Sequence, residues 1–251
     1  MLGEALIESS VTANDTSILP QFFLTYNLKY EIIYSMNYPK AGGNNLKKFY
    51  EDVVKFIKNG DFVFDMSDQM TVKNFSKKCG LKFTKIADCV LNTEENFPNS
   101  RRTFIKGSNW LGKVVDYKPI AGKEKLWSMK GEWVYVIVYD GWIVKLGMTS
   151  DSLSGRFGSY NCGTKKAMAK GSCSTTNFGV TECNYLALNK DCKVEIYGYR
   201  IGEVYAKTER VGGKVLRARA QVAPAYEARL MEIYIDCTGT IPPLCGQKGN
   251  N

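Results

Sequence analysis

Trp133 to Tyr139 is an unbroken run of seven apolar or aromatic residues, rich in valine and isoleucine. Asp140-Gly141 follows it, and a second β-rich run, Trp142 to Leu146, comes next. Asp-Gly between two such runs is a strong hairpin signal, because a type I′ turn needs positive φ at both central residues. Gly147 is expected to end the second strand. Ser150-Asp151 can then cap a helix that carries Arg156. The pattern predicts strand, tight turn, strand and helix in succession.

The remaining pattern is weaker. Residues 1–20 are polar and irregular, and Phe22 to Tyr38 is aromatic and β-branched enough for a strand or two. Leu46, Phe49, Tyr50, Val53 and Ile57 recur at helical spacing, with Asn44 or Asn45 as cap and Gly60 beyond the last turn. Residues 70–92 fit a helix-turn-helix template. Ser76 is small where two helices would approach, Gly80 permits a left-handed turn, and Leu81, Ile86 and Cys89 would pack the second helix, about Phe83 to Leu91. Lys77, Lys78, Lys82 and Lys85 cluster there, as either a DNA-contacting face or a solvated one. Residues 92–128 are turn-rich, and a domain boundary is expected at 122–128. Residues 163–181 read as an inserted loop whose Lys165 and Lys166 can touch phosphates. Cys192 to Ile201 reads as a strand. Lys207 to Arg219 is basic, and its Gly212-Gly213 pair indicates a flexible turn near DNA. Pro224 marks the start of a helix on which Tyr226, Leu230 and Ile233 share a face.

Net charge is +9, spread over both halves of the 251 residues, which favours a polyanionic partner. No histidine is present, so a histidine base, a histidine-containing triad and a Cys₂His₂ finger are excluded. Any general base is a tyrosine, lysine, carboxylate, thiolate or metal-bound water. Eight cysteines occur without a single Cys-x-x-Cys pair, a pattern that favours free thiols over structural zinc or disulfides. No apolar stretch approaches the ~20 residues of a membrane span. The chain starts without a basic, then apolar, leader, so a cytoplasmic protein is expected.

The residues on the predicted hairpin and helix resemble the GIY-YIG nuclease family. Trp133-Val134-Tyr135 stands at the first half-motif and Lys145-Leu146-Gly147 at the second. Arg156 stands at the helix arginine and Tyr160 at a position that often holds His or Tyr. Tryptophan replaces the first glycine, and Lys145 replaces the second tyrosine, as is expected in the restriction-endonuclease branch. The resemblance spans roughly residues 129–236. It implies a divalent cation, Mg²⁺ or Mn²⁺, held by a glutamate on a late helix. Glu227 is the best match there, and Glu232 is the competitor. It also implies Tyr135 acting on the water, with Lys145 lowering the phenol's pKa or contacting phosphate directly. Arg156 would fork onto phosphate oxygens, and Tyr160 would hydrogen-bond the scissile phosphate.

The expectation is therefore an α+β protein. Residues 1–128 would be a mainly helical DNA-recognition region, and residues 129–251 a small mixed sheet flanked by helices. Its function would be sequence-specific cleavage of double-stranded DNA, of the type II restriction kind, by a homodimer assembled on DNA or by two sequential nicks. A homing, phage-type or repair nuclease, or a non-catalytic DNA-binding regulator, are the alternatives.

Overall fold

The computed structural model describes residues 56–58, 61–92, 113–161, 175–202 and 204–245. The predicted strands at 22–38, Lys165 and Lys166 lie outside them, as does most of the predicted helix at 46–57. That helix's last residue, Ile57, belongs to a short strand, β1 (Ile57–Lys58), paired with β2 (Asp61–Phe62).

A five-stranded sheet follows, built from β3 (Thr84–Leu91), β4 (Val115–Pro119), β5 (Glu132–Tyr139), β6 (Trp142–Thr149) and β7 (Val194–Gly202). The spatial order is β4-β3-β7-β5-β6, and every ladder is antiparallel. The expected α+β class holds, with antiparallel pairing throughout rather than a mixed sheet. Every residue of β5 is buried, as a strand covered on both faces requires. Asp140 and Gly141 have φ of 46° and 92°, the two positive values of the expected type I′ turn. Pro119 lacks an N–H and sits in β4, which is an edge strand.

Helix α1 (Val72–Cys79) is capped by Thr71, whose hydroxyl accepts from the Asn74 N–H at 3.3 Å, and ends at Gly80 with φ 71°. The left-handed turn is as expected, but no second helix follows it. Thr84 to Leu91 is β3, bonded to β4 on one side and β7 on the other. The helix-turn-helix reading is thereby corrected. Two ladders satisfy this segment's backbone and bury Ile86, Ala87 and Cys89, and that tertiary gain overrides a weak local helix signal. β3 and β4 also lie in one sheet with β5 to β7, across the expected boundary at 122–128.

Three further helices, α2 (Glu124–Ser128), α3 (Leu153–Tyr160) and α4 (Thr175–Asn189), belong to one face of the sheet. The residues of α4 up to 181 were expected in a loop. On this face Trp127 and Tyr117 pack against Phe157, while Tyr139 donates to Asn184 at 2.7 Å. The other face carries α1 and α5 (Ala223–Thr238). There Phe75, Leu230 and Tyr234 join Val134, Val136, Val138 and Leu146 in one core. Tyr226 is exposed rather than part of the buried face of α5, which is Ala223, Leu230 and Tyr234. A separate ribbon, β8 (Val204–Val211) with β9 (Lys214–Ala220), connects β7 to α5. A 3₁₀ turn at Pro243–Cys245 lies against β6, where Cys245 Sγ accepts from the Leu146 N–H at 3.2 Å. Among the described residues, no helix is long and apolar enough to cross a membrane.

The Tyr234 hydroxyl ties α5 to its neighbours. It lies 2.9 Å from Gln69 Oε1 and 3.2 Å from the Ile143 carbonyl, two acceptors for its one proton, and it accepts from the Met70 N–H at 3.3 Å. Tyr234→Phe keeps the ring but strands these buried groups, so it should cost about 1–3 kcal/mol in urea denaturation. A loss below about 0.5 kcal/mol would show that water reaches them.

Candidate active site

Tyr135 occupies the middle of β5, and its register partners on both sides are glycines, Gly147 on β6 and Gly198 on β7. A Cβ on Gly147 would stand 2.5 Å from the Tyr135 hydroxyl oxygen and 2.6 Å from Cζ. Gly147 therefore does not end its strand; it makes room for the phenol ring. A Cβ on Gly198 would stand 2.8 Å from Ile86 Cδ1 and 3.1 Å from Leu153 Cδ1. The sheet is thinned on both sides of Tyr135, so the sheet-covering side chains close over it.

Ser152, rather than Ser150-Asp151, caps α3, accepting from the Gly155 N–H at 3.1 Å. One turn on, Arg156 Nε donates to the Tyr135 hydroxyl at 2.9 Å. Tyr160 lies four residues further and so on the same helix face. Its hydroxyl shares a 2.6 Å hydrogen bond with that of Tyr135, and the Arg156 Cζ lies 4.9 Å from its ring centroid. Phe157 is fully buried and meets the Tyr135 and Tyr160 rings edge-on, at 5.0 and 5.3 Å. Three of the predicted site residues thus form one hydrogen-bonded cluster, with Phe157 as the wedge that sets its angles.

Burial dominates the electrostatics. It pushes the Tyr135 phenol well above 10, with Tyr160 adding to the rise; Arg156 and Lys145 pull downward without overcoming it. The expectation that Lys145 would favour a Tyr135 phenolate is corrected accordingly: its effect has the right sign, and desolvation is larger. Tyr160 is pushed up to about 12 by burial, against the pull of Arg156. Burial opposes the Arg156 charge, but the Tyr135 and Tyr160 oxygens outweigh it and move its pKa further up. At neutral pH the cluster is one permanent cation held by two neutral hydroxyls.

Lys145 pairs with Ile137, two residues from Tyr135, and so shares the Tyr135 face of the sheet. It is only 5% exposed, and its ammonium donates to the Leu244 carbonyl at 3.1 Å. Glu227 lies elsewhere. It is half-buried on α5, the helix packed on the opposite face, and no hydrogen bond or ion pair of the described residues joins it to the cluster. Glu232 is exposed and paired with Arg229 at 2.8 Å. The sequence reading missed Glu132, which is 1% exposed and accepts from the Ala223 N–H at 2.9 Å, fixing the start of α5 to β5. Its signal was a lone acid at the head of an apolar strand. Of the predicted DNA-contacting lysines, Lys77, Lys78 and Lys82 are exposed. Lys85 instead pairs with Glu195 at 2.6 Å and Asp88 at 2.7 Å on the sheet surface. Among the described residues, Cys79, Cys89, Cys183, Cys192, Cys237 and Cys245 form no disulfide, and no three His, Cys, Asp or Glu side chains are grouped to hold a metal.

Alkaline titration tests this electrostatic picture. Of the 15 tyrosines, Tyr160 should stay protonated past pH 11, and Tyr135 well above its ordinary value, together with the buried Tyr139 and Tyr234, in the 295 nm absorbance of the folded protein. An unfolded chain releases these protons near 10, so stability is fully present below about pH 10 and falls as pH rises towards 12. Tyr160→Phe should reduce the late-titrating amplitude. A wild-type curve complete by pH 10.5 would show that water enters the cluster.

No family model matches the chain, and no curated protein does. Solved structures that are similar to it in part include the following two. One is the restriction endonuclease HPY188I in complex with product DNA, at 24% identity and a TM-score of 0.41, over 73% of this chain and 90% of that one. The other is a point mutant of bacteriophage T4 EndoII, at 14% identity and a TM-score of 0.38, over 69% and 98%.

Proposed function

We propose that the chain is a divalent-metal-dependent endonuclease acting on double-stranded DNA, of the type II restriction kind. The observation that carries the reading is the Tyr135–Arg156–Tyr160 cluster, with Lys145 on the same sheet face. Phosphodiester hydrolysis needs a deprotonated water, charge stabilisation at the pentacovalent phosphate and stabilisation of the leaving O3′. Arg156 supplies a fixed guanidinium for the phosphate oxygens, oriented by its bond to Tyr135. One of the two hydroxyls donates to the other, which leaves one O–H as a donor held away from water, and Lys145 adds a second cation. Tyr135 would orient the attacking water and, once substrate entry relieves its burial and the phenol has given its own proton to solvent, the phenolate would take the water's proton. The lysine at position 145, where the resembled family more often has tyrosine, supports the restriction branch.

Glu227 would hold the cation. Its half-buried carboxylate is engaged by no other described residue, and among the described residues no group of three or more His, Cys, Asp or Glu side chains includes it. A single carboxylate suits Mg²⁺ or Mn²⁺, hard ions that keep several waters and take further ligands from substrate phosphates. Such an ion would supply positive charge at the scissile phosphate and leaving oxygen of a substrate that reaches both Glu227 and the Tyr135 face. The regulator alternative loses its basis with the helix-turn-helix, since Thr84 to Leu91 is a strand.

Cleavage of supercoiled plasmid with Mg²⁺ tests the reading. Arg156→Ala should lose roughly 10²–10³-fold in rate, the scale of one positioned electrostatic donor. Tyr135→Phe keeps the ring and should also cut far more slowly than wild type. Glu227→Ala should abolish metal-dependent cutting while duplex binding survives. Wild-type rates in all of these and in Lys145→Ala would overturn the reading. One site cuts one strand at a time, so double-strand cleavage by this chain calls for a dimer on DNA or two sequential nicks. Light scattering should show a doubling of protein mass on a cognate duplex; nicked circles as the sole final product would argue against the restriction role.

A further inference from the structure

The ribbon β8–β9 takes no part in the sheet or the cluster. Among the described residues its strands pair only with each other. Gly212 and Gly213, with φ of 54° and 79°, make its tight turn. Val211, Val215 and Leu216 are each more than half exposed, and Tyr205 is 44% exposed. A lone two-stranded ribbon is marginally stable in water. Apolar side chains held out on one are the mark of a contact surface.

Its register sorts the charges. Tyr205 pairs with Arg219, Thr208 with Arg217 and Arg210 with Val215, so these six positions share one face, which includes three arginines and no acid. The one acid of the ribbon strands, Glu209, pairs with Leu216 on the other face. The root is fixed at the candidate site. Gly202, which ends β7, pairs with Glu132, and Ala223, which begins α5, donates to the same Glu132 carboxylate. Glu132 precedes Tyr135 by three residues, about 10 Å along the strand. Eight residues of strand reach about 26 Å, against a B-DNA major groove about 12 Å wide, and that groove admits a two-stranded ribbon. Arginine pairs with guanine edges or phosphates, threonine with either kind of edge, and an apolar side chain with the thymine methyl.

We propose that β8–β9 enters the major groove of the duplex at the cleavage site, its arginine face towards the bases, and so does what the predicted helix at 83–91 does not. The proposal rests on the DNA-endonuclease reading, but its test reads binding and not cutting.

Fluorescence anisotropy without Mg²⁺, on a labelled 30-bp duplex of mixed sequence, compares three full-length proteins. These are wild type, the triple variant Arg210→Ala, Arg217→Ala, Arg219→Ala, and a control that removes equal charge elsewhere, Lys118→Ala, Lys125→Ala, Lys130→Ala. The ribbon variant should bind at least tenfold more weakly than both others. Its slope of log K against log salt should fall by roughly 0.9 for each of the three arginines that touches a phosphate rather than a base edge. Equal weakening in the control would overturn the proposal in favour of bulk charge. Equal ribbon-dependent affinity for double-stranded RNA would also overturn it, because the A-form major groove is too narrow to enter. Unchanged binding by the ribbon variant, with wild-type cutting intact, would sink the ribbon alone. Ribbon-dependent binding by a wild type that never cuts would sink the nuclease reading and leave the ribbon standing.

Discussion

The close passage of the Tyr135 ring over Gly147 is the constraint on which the cluster depends. It sets the glycine on β6, because any Cβ there would collide with the phenol. It brings the hydroxyl to the surface of α3, where Arg156 and Tyr160 both reach it. It also requires β5 to be covered on that face, since a phenol lying across the sheet leaves the layer above to be filled by Phe157, Trp127 and Tyr117. The opposite face of the same strand is aliphatic, with Val134, Val136 and Val138 packed on α5 and α1. One strand thus separates an aromatic, hydrogen-bonded side from an aliphatic one, and the period-2 alternation of β5 does the sorting.

Legibility in the sequence followed the range of the interactions involved. The β5–β6 hairpin and α3 were readable because their signals are local: Asp140-Gly141 dictates its own turn, and the apolar runs on either side of it are continuous. The Arg156–Tyr160 spacing placed both on one helix face without any knowledge of the sheet. β3 was not readable. Its backbone partners lie in β4 and in β7, the latter about a hundred residues away, and before that pairing its residues carry an ambiguous period. Helix α4 was hidden because it is apolar or small on several sides, with Thr181 and Asn184 fully buried and hydrogen-bonded. Charge assignment failed in the same way: Lys85 looked like one of a basic row, but Glu195, supplied by β7, takes it up. The desolvation of Tyr135 was also out of reach, since burial by α3 is a tertiary fact.

The two faces also place the metal question. The carboxylate the sequence singled out, Glu227, belongs to the helix on the aliphatic face, and the cluster to the other. Glu132 links them mechanically. Its carboxylate, 1% exposed, accepts from the Ala223 N–H at the start of α5 from within β5, so any shift of α5 breaks a buried hydrogen bond. The position of Glu227 along the sheet is therefore fixed relative to Tyr135 through one strand and one helical turn, without direct contact between the two.

Both cations of the candidate site are bound to neutral acceptors: Arg156 to a phenol oxygen and Lys145 to the Leu244 carbonyl. On the endonuclease reading this is a site ready for exchange. A phosphate oxygen carries formal charge, and charge-assisted hydrogen bonds are roughly twice as strong as neutral ones. A phosphodiester arriving on this face offers each cation a better acceptor than the one it holds. Arg156 can turn outward without leaving a buried donor unsatisfied, because the Tyr135 hydroxyl keeps its 2.6 Å bond to Tyr160. Lys145 can do so only if Leu244, itself fully buried, gives way. The arginine exchange is thus local to the three side chains of the cluster, whereas the lysine exchange involves the 3₁₀ turn and the hydrogen bonds of its Cys245 to the outer edge of β6. Phosphate binding at Arg156 should accordingly precede engagement of Lys145, and the order follows from which acceptor is free to be left behind.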